Sequence, residues 1–181
     1  RPHFLFNTMN SIASLIASRP AVAEQAVEDL AELFRASLQD NHRDTTVADE
    51  LHLCRLYLGI EQLRLGDRLA LDWTVDDSLS DVPMPGLLLQ PLVENAVYHG
   101  VAQLPQGGTI RIAVAQVGEL LQVSIENPVP ATPSHTEGNH MALANIEQRL
   151  QGLFGEDASL ATVLDEERFR VILQYPVDRE P

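Results

Sequence analysis

The amino-acid sequence predicts an α+β protein in which an N-terminal helical hairpin precedes a two-layer sandwich of helices and strands. Apolar side chains recur at helical spacing through about the first 65 residues, and alternating strand pairs separated by helices follow them. A chain of 181 residues can hold a small helical module and a domain of roughly 130 residues. We therefore predict two units, 1–42 and 43–181, which meet in the polar run 40–45.

The hairpin is predicted from two helices, over 1–17 and about 20–39, separated by a short turn before Pro20. The inward stripe of the first helix is predicted to be Leu5, Met9, Ile12 and Ile16. That of the second is predicted to be Val27, Leu30, Leu33, Phe34 and Leu38. Because two short helices cannot bury both stripes alone, we expect the hairpin to pair with a second copy as a dimerising four-helix bundle.

The second unit is predicted to contain three helices and five strands. The helices are expected over about 48–65, 85–100 and 141–154, and the strands over 69–75, 109–116, 119–126, 159–164 and 168–175. Thr46 with Asp49 or Glu50 forms a capping signature for the first of these helices. Three prolines and no periodicity predict a loop over 128–138 that is long enough to act as a lid.

Composition excludes several classes of function. The net charge of −14 disfavours direct binding to nucleic acid, whose backbone attracts Lys and Arg. All twelve cationic side chains are Arg. This excludes P-loop nucleoside triphosphatases, kinases with a strand Lys and pyridoxal enzymes, because each of these classes needs a Lys. The lone Cys54 reads as a small core side chain, with a reactive thiol as the less favoured alternative.

No run of about 18 apolar residues is present, so the sequence predicts no membrane-spanning helix. The chain starts at Arg1 inside a helical pattern, which suggests a piece of a longer protein. An upstream membrane anchor is neither shown nor excluded by these residues.

Three polar side chains interrupt the otherwise apolar helix predicted over 85–100. Asn95 and His99 are four residues apart and share a face, while Glu94 lies one step around the helix. The oxygen of an Asn side chain suits Mg²⁺, which completes its shell with water and phosphate oxygens. A helix end with solvated polar groups remains the alternative on spacing alone.

Two long motifs carry a family resemblance. The stretch Leu-Gln-Pro-Leu-Val-Glu-Asn-Ala-Val-Tyr-His-Gly over 89–100 resembles the N box of sensor histidine kinases. The stretch Arg-Pro-His-Phe-Leu-Phe-Asn-Thr-Met-Asn-Ser-Ile over 1–12 resembles the phospho-acceptor box of their LytS-type branch. The resemblance covers essentially the whole chain, including 57–68. It implies a dimerisation hairpin followed by an ATP-binding domain of the histidine kinase, Hsp90 and gyrase type.

By this resemblance His3 is the phospho-acceptor. A neutral imidazole is a competent nucleophile near neutral pH and can attack a γ-phosphoryl group. Asn7, one turn further on, is a candidate to orient the ring, and its alternative role is a polar position on the same face. The residue after His3 is Phe4 and not an acid, so Glu94 becomes the candidate general base from across the dimer interface.

The resemblance also assigns the nucleotide site. Asn95 would coordinate Mg²⁺, His99 would lie near the triphosphate, and Asn127 falls where the family has an Asp that accepts the adenine amino group. A plain strand end is an equally favoured interpretation of Asn127. Tyr98 and Val129 depart from the family pattern, in which a basic residue and a Gly are usual.

The glycine-rich loop of the family is matched only in part, by the residues over 138–146. Gly138, Leu143 and Asn145 are kept as candidate nucleotide-binding positions. His140 and Ala142 stand where glycines would let backbone amides approach phosphates. The resemblance therefore implies ATP binding through a site that is poor in glycine.

These observations predict the cytoplasmic kinase core of an inner-membrane sensor protein. It would act as a homodimer, use ATP and Mg²⁺ to phosphorylate His3, and pass the phosphoryl group to an Asp of a response-regulator receiver domain. The alternative is a degenerate ATP-binding domain that serves as a signalling scaffold or as a phosphatase toward the regulator. A third possibility is a partner-switching kinase of related fold that phosphorylates Ser and does not need His3.

Overall fold

The computed structural model describes residues 2–38, 45–131 and 137–178, with the side chains of Pro2 and of 137–140 left out. Five helices are described: α1 Pro2–Leu15, α2 Pro20–Leu38, α3 Val47–Leu65, α4 Gln90–Tyr98 and α5 Glu137–Phe154. The strands are β1 Thr45–Thr46, β2 Leu69–Val75, β3 Pro83–Met84, β4 Gly108–Val117, β5 Leu120–Pro128, β6 Ser159–Leu164 and β7 Arg168–Pro176. Short 3₁₀ turns lie between several of them.

Five strands form a mixed sheet in the order β2-β4-β5-β7-β6. β4 and β5 form an antiparallel hairpin, and β6 and β7 form another, which β5 joins through its pairing with β7. β2 pairs with β4 in parallel, so the chain must cross over between them, and α4 lies in that crossover. The two predicted hairpins are confirmed, and the parallel pairing places α4 against the sheet.

The core lies between this sheet and the helices that cover one of its faces. Alternate side chains of β4, β5 and β7 point into it: Ile110, Ile112, Val114, Leu121, Val123, Ile125, Val171 and Leu173. Apolar spacing predicts Leu51, Cys54 and Leu58, with Leu65 as a further candidate, on the inward face of α3, and all four residues are buried. Cys54 is 1% exposed and burial raises the pKa of its thiol, which supports the core role and not a reactive thiol.

α1 and α2 form the predicted hairpin, and both helices pack on α3. The rings of Phe4 and Tyr57 lie 5.2 Å apart between centroids, and the ring of His52 approaches the carboxylate of Glu32 at 2.8 Å. The buried residues of the hairpin are continuous with the core of the second unit. The boundary near residue 42 therefore stays a prediction, since folding of the two parts as separate domains is untested.

The predicted apolar stripes of the hairpin are only partly buried within one chain. Ile12, Leu30 and Leu33 face inward, together with the small side chains Ala23 and Ala26. The other predicted inward residues are exposed by 39 to 87%: Leu5, Met9, Ile16, Val27, Phe34 and Leu38. The exposure of these six residues agrees with the expectation that one hairpin cannot bury both of its apolar stripes alone. The four-helix bundle stays a prediction.

Three local features differ from the sequence-based expectation. α4 begins at Gln90 and not near residue 85, because Leu87 adopts a positive φ of 57° that ends any helical path before it. The first turn of α5 includes 137–140, part of which was expected in the lid loop. The pair β1 and β3 was not predicted, since two-residue strands carry no periodic signal. Within the described ranges, no helix is long and apolar enough to cross a membrane.

Candidate functional site

α4 presents the three polar residues that the sequence singled out. Asn95 is 6% exposed, between positions 93 and 97 that are fully buried. Glu94 is half-buried and its carboxylate accepts a hydrogen bond from the Gln90 side chain at 3.4 Å. His99 is half-buried at the helix end, with its ring edge-on to Tyr98 at 4.9 Å between centroids. These groups are thus held by the helix and are not a freely solvated helix end.

The donors near Asn95 bear on whether a metal fits this helix. Within the described part of the chain, no group of three or more His, Cys, Asp or Glu side chains could hold a metal ion. Asn95 offers one neutral oxygen, and Mg²⁺ is commonly bound by one or two protein groups with phosphate oxygens and water as its other ligands. The residues present therefore fit a magnesium ion that arrives with a nucleotide.

The end of α4 touches the end of β5. A Cβ atom added to Gly100 would lie 2.4 Å from Nδ2 of Asn127, 2.5 Å from the Ala96 carbonyl oxygen and 2.7 Å from the Pro128 carbonyl oxygen. Asn127 is 4% exposed and its Nδ2 donates to the Pro128 carbonyl at 3.0 Å. Gly100 permits this close approach, which brings two predicted site residues, Asn127 and the neighbouring His99, to the same corner of the domain.

α5 carries the remaining predicted nucleotide-binding positions. Gly138 lies in its first turn, Leu143 is half-buried against the core, and Asn145 is exposed. Ile146 and Leu150, three and seven residues after Leu143, are buried on the same face of the helix. The predicted lid residues from 132 to 136 lie outside the described residues, as do the side chains of 137–140, including His140. Phosphate binding by this segment therefore stays a prediction.

His3 is exposed in the first turn of α1, away from the buried polar groups of α4. It forms no hydrogen bond or ion pair with another described residue. The adjacent Phe4 packs on Tyr57 of α3, whose hydroxyl donates to the buried Glu61 carboxylate at 3.3 Å. Arg64 donates to the same carboxylate at 3.0 Å. Tyr57 of the 57–68 motif thus packs against α1, the helix that carries His3, and no hydrogen bond or ion pair joins His3 to Glu94 among the described residues.

Sequence reasoning missed the role of Glu50. It treated Glu50 as one of two possible capping partners of Thr46, but Asp49 forms that capping box. Glu50 is 1% exposed and accepts hydrogen bonds from the amides of Leu87 at 2.8 Å and Leu89 at 3.5 Å. The available signal was its spacing of four residues from Cys54, which places both on the inward face of α3.

Comparison with known proteins shows similarity to one family model and to several sensor histidine kinases. The family model described as "Histidine kinase" matches residues 1–69. The sensor histidine kinase BtsS of Escherichia coli is 32% identical over 176 residues, which are 97% of this chain and 31% of BtsS. The chain resembles sensor histidine kinases.

Two further similarities support this relationship. The sensor histidine kinase/phosphatase LytS of Staphylococcus aureus is 35% identical over 173 residues, 88% of this chain and 30% of LytS. The catalytic domain of histidine kinase ThkA has the same fold, with a TM-score of 0.58 at 15% identity over 76% of this chain and 98% of that domain. The chain spans about a third of the length of BtsS and LytS. The chain is thus similar to sensor histidine kinases that include LytS.

We predict that Gly100→Ala destabilises the domain, because its methyl group has no space between Asn127 and two carbonyl oxygens. Overpacking of this kind costs about 1–3 kcal/mol, measured as the free energy of unfolding in urea. Gly59→Ala is the matched control, since a Cβ at Gly59 in α3 meets nothing within 4 Å. That control should stabilise the protein by about 0.5–1 kcal/mol. Equal stability of the two variants would contradict the close approach.

We also predict that the contribution of Glu50 to the free energy of unfolding depends on pH. Burial raises the pKa of Glu50 above its ordinary value of 4.5, although the hydrogen bonds from the 87–89 amides lower it. The folded chain then holds the proton more tightly than the unfolded chain. The stability due to Glu50 is fully present below the unfolded pKa and is lost as the pH rises through the folded pKa. Glu50→Gln cannot lose a proton, so the stability difference between wild type and this variant should shrink with rising pH.

The measurement is urea unfolding of both proteins at a series of pH values from about 4 to about 8. The exposed Glu147→Gln on α5 is the control and should leave the pH dependence of wild type unchanged. A stability difference between wild type and Glu50→Gln that stays constant over the whole series would show that Glu50 does not titrate in this way.

Proposed function

We propose that this chain is the cytoplasmic kinase core of a LytS-type sensor histidine kinase, which transfers a phosphoryl group from ATP to His3. The observation that supports the proposal is the meeting of α4 and β5, which brings His99 and Asn127 close together at the end of the helix that also carries Asn95. His3 is exposed on a hairpin that packs on α3, and α3 also contacts α4. The order of the two motifs that carry the resemblance, with the phospho-acceptor box first and the N box second, supports the same proposal.

The proposed reaction uses few protein groups. A ring nitrogen of neutral His3 attacks the γ-phosphorus, the nitrogen–phosphorus bond forms as the bond to the bridging oxygen breaks, and ADP leaves. The proton on the other ring nitrogen must then be removed, and Glu94 of a partner subunit is the proposed acceptor. Such transfer depends mostly on positioning and neutralisation of charge. Magnesium, held by Asn95 and the phosphates, would supply part of that neutralisation.

The proposed nucleotide site lies between α4, β5 and α5. Asn127 would accept the adenine amino group, His99 would face the triphosphate, and Gly138 with Leu143 and Asn145 would line the phosphate side. Asn127 is neutral where the family pattern has a carboxylate, and the 138–146 segment lacks two expected glycines. We therefore expect the site to recognise ATP and to hold it weakly.

We further propose that the kinase is a homodimer and that its phosphoryl acceptor is an Asp of a response-regulator receiver domain. The exposed apolar residues of α1 and α2 support dimerisation, since a second hairpin would cover them. The proposed setting is the cytoplasmic side of an inner membrane, in a longer protein with a membrane-embedded portion. Within the family, we infer from sequence resemblance that the alginate-regulating sensor kinase is the nearest relative.

A second candidate function is dephosphorylation of the response regulator or a scaffold role without kinase activity. The departures at Tyr98, Val129, His140 and Ala142 from the family pattern favour it. LytS itself carries both names, kinase and phosphatase. The labelling experiment below separates the two candidates, because only the kinase needs both His3 and Asn95.

We predict that the protein incubated with γ-labelled ATP and Mg²⁺ acquires acid-labile label. His3→Gln should abolish the label because it removes the nucleophile, and Asn95→Ala should reduce it by at least about tenfold because a metal ligand is lost. His52→Gln is the matched control, since His52 is exposed on α3 and outside the proposed site. Label that survives in His3→Gln, or absence of label in wild type within its full-length parent, would contradict the kinase assignment.

We predict that an acidic residue in the exposed stripe of α1 prevents dimerisation. Phe6 is 70% exposed in the single chain, and Phe6→Glu would place a charge in the proposed bundle. Analytical ultracentrifugation should give a dimer for wild type and a monomer for this variant. Val117→Glu at the turn of the β4–β5 hairpin, 48% exposed, is the control and should remain dimeric. A Phe6→Glu protein that stays dimeric would place the interface elsewhere.

A further inference from the structure

The segment 86–89, which leads into α4, is held on two sides by charged residues that the proposed mechanism does not use. We propose that Glu50 of α3 and Arg149 of α5 are positioning residues that fix the start of α4, and through it the location of Asn95. The contacts with 86–89 carry this inference, and it rests on the proposed function only for its link to nucleotide binding.

Glu50 supplies the cap that α4 lacks. The N-cap residue of α4 is Leu89, which makes no side-chain capping bond, so the amides at the helix start need an acceptor from elsewhere. The Glu50 carboxylate accepts from the amides of Leu87 at 2.8 Å and Leu89 at 3.5 Å. A negative charge at this end is also favoured by the helix dipole. A residue 39 positions earlier in the chain than Leu89 thus holds the N-cap residue of α4 and the segment before it.

Arg149 holds the carbonyl side of the same segment. Its two terminal nitrogens donate to the carbonyl oxygens of Leu87 at 3.3 Å and Gly86 at 2.8 Å. A planar guanidinium is suited to two adjacent acceptors, which a single ammonium group cannot match. Leu87 has a φ of 57°, a conformation that a leucine keeps only when its surroundings enforce it. The two charged side chains and the burial of Leu88 and Leu89 at 0% exposure provide that enforcement.

The two positioning residues lie on helices that contact or carry different parts of the proposed site. α3 packs against the hairpin that carries His3, while α5 begins with the proposed phosphate-binding residues. The contacts of Glu50 and Arg149 therefore connect the start of α4 to the helices that carry or contact the other parts of the proposed site. Loss of either contact should shift the first turn of α4 and misplace Asn95, which lies little more than one turn further on.

The test compares Glu50→Gln and Arg149→Met with two controls that remove an exposed charge, Glu147→Gln and Arg170→Met. The first readout is hydrogen exchange of the backbone amides in the whole chain. The second is the Mg²⁺ concentration needed for half-maximal binding of a non-hydrolysable ATP analogue. Thermal denaturation of each variant establishes the temperature at which all are folded, and both readouts are taken there.

We expect faster exchange over 87–98 in both variants, with β5 and β7 unchanged. The half-maximal Mg²⁺ concentration should rise about tenfold, as it does when groups that orient a metal ligand are removed. Arg149→Lys keeps the charge and one donor, so it should lie between wild type and Arg149→Met in both readouts. The two controls should match wild type.

Exchange that rises equally in all elements, or stays unchanged over 87–98, would overturn the inference by showing a general stabilising role or none. An unchanged Mg²⁺ requirement in variants with faster exchange at α4 would overturn the link to Asn95. Absence of nucleotide binding in wild type would count against the proposed function alone, and the exchange measurement would still decide whether Glu50 and Arg149 position α4.

Discussion

The buried carboxylate of Glu50 constrains the rest of this structure. An ionised group inside a protein is costly unless hydrogen bonds and an opposite charge compensate it. The amides of 87–89 and the nearby Arg149 offset only part of this cost, so burial still raises the pKa of Glu50. The same contacts decide where α4 starts. Because Asn95 and His99 are fixed in that helix, the geometry of the proposed nucleotide site depends on a side chain that contacts no nucleotide position itself.

α3 links the two parts of the proposed phosphoryl-transfer device. One part of its surface buries Leu51, Cys54 and Leu58 in the sandwich, and another receives the hairpin through Tyr57. A motion of the hairpin would therefore displace α3, whose Glu50 holds the segment that leads into α4. Packed cores respond to such motions by switching between discrete arrangements and not by gradual deformation.

His3 and the α4 residues are not joined within one chain, and this separation agrees with the proposed chemistry. A phospho-acceptor must be presented to two successive partners, the nucleotide and then the receiver domain, so it belongs on an exposed surface. The exposed apolar side chains of α1 and α2 supply the proposed means of bringing a second subunit near it.

The sequence by itself determined the element order, the strand hairpins, the inward face of α3 and the family resemblance, because periodicity and long motifs are local signals. It also predicted Asn95, His99 and Asn127 as site residues, of which the fold brings His99 and Asn127 to one corner of the domain. Only the tertiary structure decided that β2 joins the sheet in parallel, that six apolar residues of the hairpin face outward, and that α4 begins at Gln90. It alone showed that Glu50 and Arg149 hold the 86–89 segment. Those contacts join residues 37 to 63 positions apart, and no local pattern of side chains encodes a partner at that distance.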